Sequence, residues 1–106
     1  MSANRRTAAR RQPALGTVCH LTGDHGRLGL VWNLSTSGVS MLVDEPPHPD
    51  AVMDAQLTTV DEKQTLPITL RVVHVRRIRT GDYFLGAQFQ RSLHADELAP
   101  FLAEAS

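Results

Sequence analysis

Two groups of residues in this sequence have chemistry to offer. The first is NRRTAARRQP at 4–13, which brings Arg5, Arg6, Arg10 and Arg11 together with no acid among residues 1–11. Guanidinium groups bind anionic oxygens in pairs through a planar fork of donors. The second is Asn33-Leu34-Ser35-Thr36-Ser37-Gly38, an amide, a hydroxyl and a glycine spaced as (D/N)xSxxG. On a strand, Asn33 and Ser35 share the outward face while Leu34 turns to the core. Gly38 is free to take a positive φ and complete the turn. The N–H groups of such a turn can face an anion. Each group alone also has a plainer reading. The arm reads as a solvated, disordered tail. The Asn/Ser/Gly stretch reads as an ordinary hairpin turn.

Other chemistry finds no support. His20, His25, His48, His74 and His94 are scattered, and one cysteine cannot complete a zinc set. There is no glycine-rich phosphate loop and no Gly-x-Ser-x-Gly elbow. HADE at 94–97 lacks a second histidine. A non-catalytic protein without metal or cofactor is therefore expected. Cys19 cannot form an internal disulfide, and its place in TVCHL predicts an inert, partly buried thiol. Trp32 is tempting as a base-stacking platform. Strict alternation instead sends it to the core with Leu28, Leu30 and Leu34.

Charge and patterning say what must position these residues. The chain has 106 residues and zero formal net charge. Beyond residue 11 it carries a net of −4, so the positive charge is concentrated on the arm. A neutral chain is unlike a general DNA or RNA binder, but leaves room for one small anionic ligand. No apolar run is long enough for a signal peptide or membrane span, so a cytoplasmic location without membrane insertion is expected. Residues 1–13 have no apolar face and read as an arm; 14–106 read as one domain. Period-two patterning predicts strands over 15–22, 27–35, 39–44, 66–79 and 83–90, with another beginning at 55. EPPHPDAVMD, at 45–54, has three prolines and is not an interior strand. Leu98, Phe101, Leu102 and Ala105 recur at helical spacing within 92–105, although Pro100 must lie in a first turn or kink the helix. Six short strands and a terminal helix predict an all-β fold closed into a small antiparallel barrel.

The two groups together are more specific than either alone. Arg6-Thr-Ala-Ala-Arg10 is an RxxxR. It is followed, after one strand and a turn, by the (D/N)xSxxG of Asn33–Gly38. This order resembles the PilZ domain family. The resemblance continues through VSMLV, LPITLRVVHVRR and YFLGAQF with its Gly86-x-x-Phe89 ending, to ELAPFL as a capping helix. It implies a six-stranded antiparallel PilZ-type β-barrel. It also implies a bacterial second messenger, cyclic di-GMP, as the ligand. In that likeness Arg6 and Arg10 grip phosphate and guanine, and Arg5 stacks or adds a contact. Asn33 accepts from a guanine N–H in place of the family's commoner aspartate, Ser35 bonds base or phosphate, and Gly38 completes the motif. Arg5 directly before RxxxR is the family's feature for an intercalated pair of ligands, which implies two molecules per chain. The function implied is a receptor whose arm orders over the ligand and changes contact with an effector protein. A PilZ-like interaction module without nucleotide, and a small nucleic-acid-binding barrel, are the alternatives. The barrel strands offer the latter little to stack on, with five aromatics in the chain.

Overall fold

Met53, Ala55 and Leu57 alternate with polar residues on one strand, and Ile68, Leu70 and Val72 on the next; all six face inward. Such half-apolar strands need a second layer or closure to bury their inner faces. In the computed structural model, which describes residues 16–22, 27–45 and 47–102, closure is the outcome. The strands are β1 (Val18–Leu21), β2 (Arg27–Leu34), β3 (Gly38–Val43), β4 (Val52–Thr58), β5 (Thr65–Arg77) and β6 (Tyr83–Phe89). They form a closed barrel in the order β1-β2-β3-β6-β5-β4, every pair antiparallel. The expected all-β barrel is the observed fold. The arm, with Arg5, Arg6 and Arg10, and the boundary at 13/14 lie outside the described residues.

Proline decides two local details. β4 starts at Val52, so the last residues of the proline-rich stretch do join a strand, once Pro49 is passed. Pro67 sits inside β5 without harm. There β5 pairs only with β4, because the β6 ladder begins at Leu70, so no strand on that side needs an N–H from Pro67.

The expected helix over 92–105 is shorter and broken. Helix α1 (Ala95–Leu98) gives way to a 3₁₀ turn over Ala99–Phe101. Pro100 lacks an N–H and its ring disfavours a continuing α-helix, but the start of a 3₁₀ turn tolerates it. Leu98 and Phe101 are buried as the spacing predicted, while Ala105 lies outside the described residues. Glu97 fixes the start of α1 by accepting from the His94 N–H at 2.8 Å. Its pairing with Arg91 at 2.9 Å, followed by that N–H, pulls its carboxyl down to about 2. This segment caps one end of the barrel. The Leu93 N–H donates to Thr36 O at 2.8 Å, and Thr17 Oγ1 donates to Phe101 O at 3.4 Å.

β2 departs from strict alternation. Leu34 is buried as expected, but Leu28, Leu30 and Trp32 point outward, 47%, 56% and 59% exposed. Gly29 and Val31 take the inner face. The cause is a bulge: Val31 pairs with Met41 and Asn33 with Ser40, leaving Trp32 unmatched on β3. One extra residue resets the period, so Trp32 and Asn33 both face out between inward Val31 and Leu34. Cys19 is as inert as expected but buried more completely than the expected partly buried thiol. It is fully buried, and burial pushes its thiol up to about 12, which keeps it protonated and unreactive.

Candidate functional site

Strand order converts sequence-distant residues into rows on the barrel's outer face. Across β2, β3, β6 and β5, one row reads Asn33, Ser40, Gly86, His74. The row on one side reads Leu30, Leu42, Phe84, Arg76. The row on the other reads Gly38, Gln88, Arg71. Gly38, Ser40 and Gly86 are small, so the middle of this face sinks into a half-open hollow of about 310 Å³. A second bulge, between Val72 and His74, turns Val73 and His74 outward on the far wall. The hollow is thus walled by a bulge on β2 and a bulge on β5, a device that re-aims side chains beside binding sites.

Gly86 matters for its missing side chain. A Cβ there would run into the His74 imidazole, which lies directly over it. That ring also stacks on Phe84, with centroids 6.5 Å apart and planes 29° apart, while the Arg76 guanidinium lies 5.8 Å above the Phe84 ring. Arg71 borders the same face and donates to Gln88 Oε1 at 3.1 Å. No carboxylate lines the hollow among the described residues. The wall is therefore suited to an anion or to the electron-rich edge of a base.

The (D/N)xSxxG stretch divides into two jobs. Ser35 is buried and its Oγ is already engaged. It accepts from the Ser37 N–H at 3.1 Å and the Gly38 N–H at 3.2 Å, and lies 3.1 Å from Ser37 Oγ. The Ser35 N–H in turn donates to Gly38 O at 3.0 Å. These bonds correct two expectations. Ser35 does not simply face outward, and the amides of the turn are spent on Ser35 rather than offered to an anion. Gly38 is also corrected: its φ is not positive. Glycine is required because a Cβ would strike the Ala87 carbonyl oxygen on β6.

Asn33 has the complementary character. Its Oδ1 is buried and has no hydrogen-bond partner among the described residues, and the same holds for Ser40 Oγ beside it. Buried polar atoms without partners cost stability, and native proteins keep few of them. The two serve different substitutions. Ser35→Ala strips two amides of their acceptor and is expected to lower unfolding free energy by about 1–3 kcal/mol. Asn33→Ala removes an unsatisfied atom, so urea unfolding is expected to show stability unchanged or slightly raised.

A larger hollow of about 450 Å³ lies elsewhere, between β4, β5 and the chain after β6. It is lined by Asp54, Gln56, Thr69 and Arg91 among others, and Asp54 is engaged by Thr69 Oγ1 at 3.2 Å. It contains none of the motif residues, so the smaller hollow is the better candidate. Ser40, His74 and Gly86 were not singled out as site residues in the sequence. Only the pairing of β3 with β6 and β6 with β5 reveals them.

The PilZ domain model matches residues 4–103, and the chain belongs to the PilZ domain family. Among solved structures, the K. pneumonia MrkH–c-di-GMP complex is similar, with a TM-score of 0.69 at 22% identity over 92% of this chain and 49% of that one. MrkH in its apo state gives 0.67 at 18% identity, over 93% and 49%. The Bacillus subtilis inhibitor of motility MotI/DgrA gives 0.66 at 14% identity, over 91% and 47%. This chain thus spans about half the length of those proteins. No curated protein sequence matches it. Among the described residues, no helix is long and apolar enough to cross a membrane.

Proposed function

We propose that this PilZ domain is a cyclic di-GMP receptor and not an enzyme. The observation that carries the reading is the pair of buried, unpartnered acceptors, Asn33 Oδ1 and Ser40 Oγ, in a hollow bordered by His74, Arg71 and Arg76. Guanine offers N–H donors to such acceptors, and its O6/N7 edge suits the guanidiniums beside the hollow. The structure named as the MrkH–c-di-GMP complex adds support from a similar fold.

The hollow is half-open, so the ligand needs a second wall. Arg5, Arg6 and Arg10 supply it from the arm, which closes over the bound dinucleotide and alters contact with an effector protein in the cytoplasm. Calorimetric titration with cyclic di-GMP, with GTP and a short RNA as controls, tests the assignment. Nanomolar-to-low-micromolar binding of the cyclic dinucleotide alone is expected. Silence would favour an interaction module that takes no nucleotide. Asn33→Ala is expected to weaken binding by about 1–2 kcal/mol, the loss of a neutral hydrogen bond.

Stoichiometry is the finer expectation. Two ligands bring four phosphate charges into one site, and Arg5 adds a third guanidinium to offset them. Two equivalents per chain are expected at saturation. Arg5→Leu is expected to shift this toward one equivalent without abolishing binding. The check is titration at protein concentrations well above Kd, and one equivalent in the parent chain would defeat it.

A further inference from the structure

We infer that Ser40, which lies outside both motifs, is a specificity-determining residue. Its Oγ accepts from the 2-amino group of a guanine of cyclic di-GMP, while Asn33 Oδ1 accepts from the adjoining N1–H. The inference rests on the receptor reading above and names the group by which the site tells guanine from other purines. Ser40 lies on the outer face of β3, between the inward Val39 and Met41. It is nevertheless only 6% exposed, because it sits in the floor of the hollow. Its hydroxyl has no hydrogen-bond partner among the described residues. A hydroxyl shut off from water without a partner costs stability that an alanine there would not cost. A serine that the fold does not use is suited to a ligand that enters the hollow.

Strand pairing supplies the second acceptor. Asn33 is the cross-strand partner of Ser40, and its Oδ1 is likewise buried and unpartnered. Side chains paired in this way stand about 5 Å apart at Cβ, within reach of one planar base edge. An amide has a single acceptor oxygen, where a carboxylate at the same place would have two. Asn33 alone therefore accepts from one of the two donors, N1–H and the 2-amino group, that guanine carries side by side. Ser40 Oγ is the next acceptor along the row, and beyond it Gly86 has no side chain to offer. Neither oxygen is held by a hydrogen bond among the described residues. Rotation about the Asn33 and Ser40 side-chain torsions brings both to a ligand without breaking one. Adenine and hypoxanthine lack the 2-amino group, so either base leaves Ser40 Oγ as unpartnered as it is in the free chain. A site built to bond a group discriminates against the analogue without it.

The test compares two ligands that differ only by that amino group on each base. Cyclic di-GMP and cyclic di-inosine monophosphate are titrated by calorimetry into the full chain and into its Ser40→Ala variant. Ser40→Ala is expected to raise the Kd for cyclic di-GMP about three- to ten-fold and to leave the Kd for the inosine ligand unchanged. Asn33→Ala is expected to weaken both ligands alike, because both keep N1–H. In urea, Ser40→Ala is expected to be as stable as the parent or more so. A lower urea midpoint would mean that the hydroxyl serves the fold, and overturns the assignment. An equal loss of both ligands in Ser40→Ala, or no loss of either, also overturns it and leaves the receptor reading standing. Absence of any binding heat for cyclic di-GMP in the parent overturns both.

Discussion

Replacing Arg10 by alanine is expected to weaken cyclic di-GMP binding by about 2–5 kcal/mol, roughly 30-fold to several thousand-fold in Kd. Arg6→Ala is expected to fall in the same range. The reasoning starts from charge. Past residue 11 the chain carries a net of −4, so the barrel as a whole does not attract an anion. The cations near the hollow flank it without lining it. Arg71 is bonded to Gln88, and Arg76 lies over Phe84. A desolvated phosphate therefore depends on the arm for charge-assisted hydrogen bonds, and removing a fork leaves that charge poorly compensated. Arg10→Lys keeps the charge but loses the paired geometry, so an intermediate loss is expected. Raising salt should weaken the parent more than Arg10→Ala, because the parent has more charge to screen. Thermal unfolding without ligand should be the same in all of these variants. An Arg10→Ala chain that binds like the parent would remove the arm from the site.

The barrel was legible because its strands are short, alternating and punctuated. Val39, Met41 and Val43 on β3 show how closely inner faces follow period two. Trp32 marks where that logic fails. Leu28, Leu30, Trp32 and Leu34 are evenly spaced, and nothing in the residue types announces the bulge that puts three outside and one inside. The candidate site was legible in the same uneven way. Asn33 and Gly38 stand out by their spacing and both line the hollow, but the reason for Gly38 differs from the one expected. Asn33 matters for an acceptor left without a partner, and Gly38 for the closeness of the β6 backbone. His74 and Gly86 lie far along the chain from Asn33. Their place beside it is a property of strand order, which local patterning does not encode.

Phe101→Ala is expected to produce the largest loss of stability, about 3–5 kcal/mol, because it empties a fully packed aromatic position. Phe101 is 2% exposed and belongs to the same buried cluster as Leu34, Val39 and Phe89. The 3₁₀ turn that Pro100 enforces delivers it there. A domain of this size has roughly 5–15 kcal/mol in all, so the variant should unfold at much lower urea and melt some ten degrees or more below the parent. Phe101→Leu refills much of the space and should recover most of the loss. The substitution also reaches the site's framework, since the Phe101 carbonyl accepts from Thr17 Oγ1 and Thr17 O accepts from the Val31 N–H. The cap thus steadies Thr17 and the start of β1 against β2. It does not line the hollow. Ligand should therefore still raise the melting temperature of Phe101→Ala, since binding to the folded state stabilises it by mass action. A smaller upshift than in the parent, at equal ligand concentration, would show that the anchored start of β1 contributes to affinity. An equal upshift would confine the role of Phe101 to the core. A urea midpoint close to the parent's would mean that the C-terminal segment leaves the barrel at little cost, contrary to the packing described.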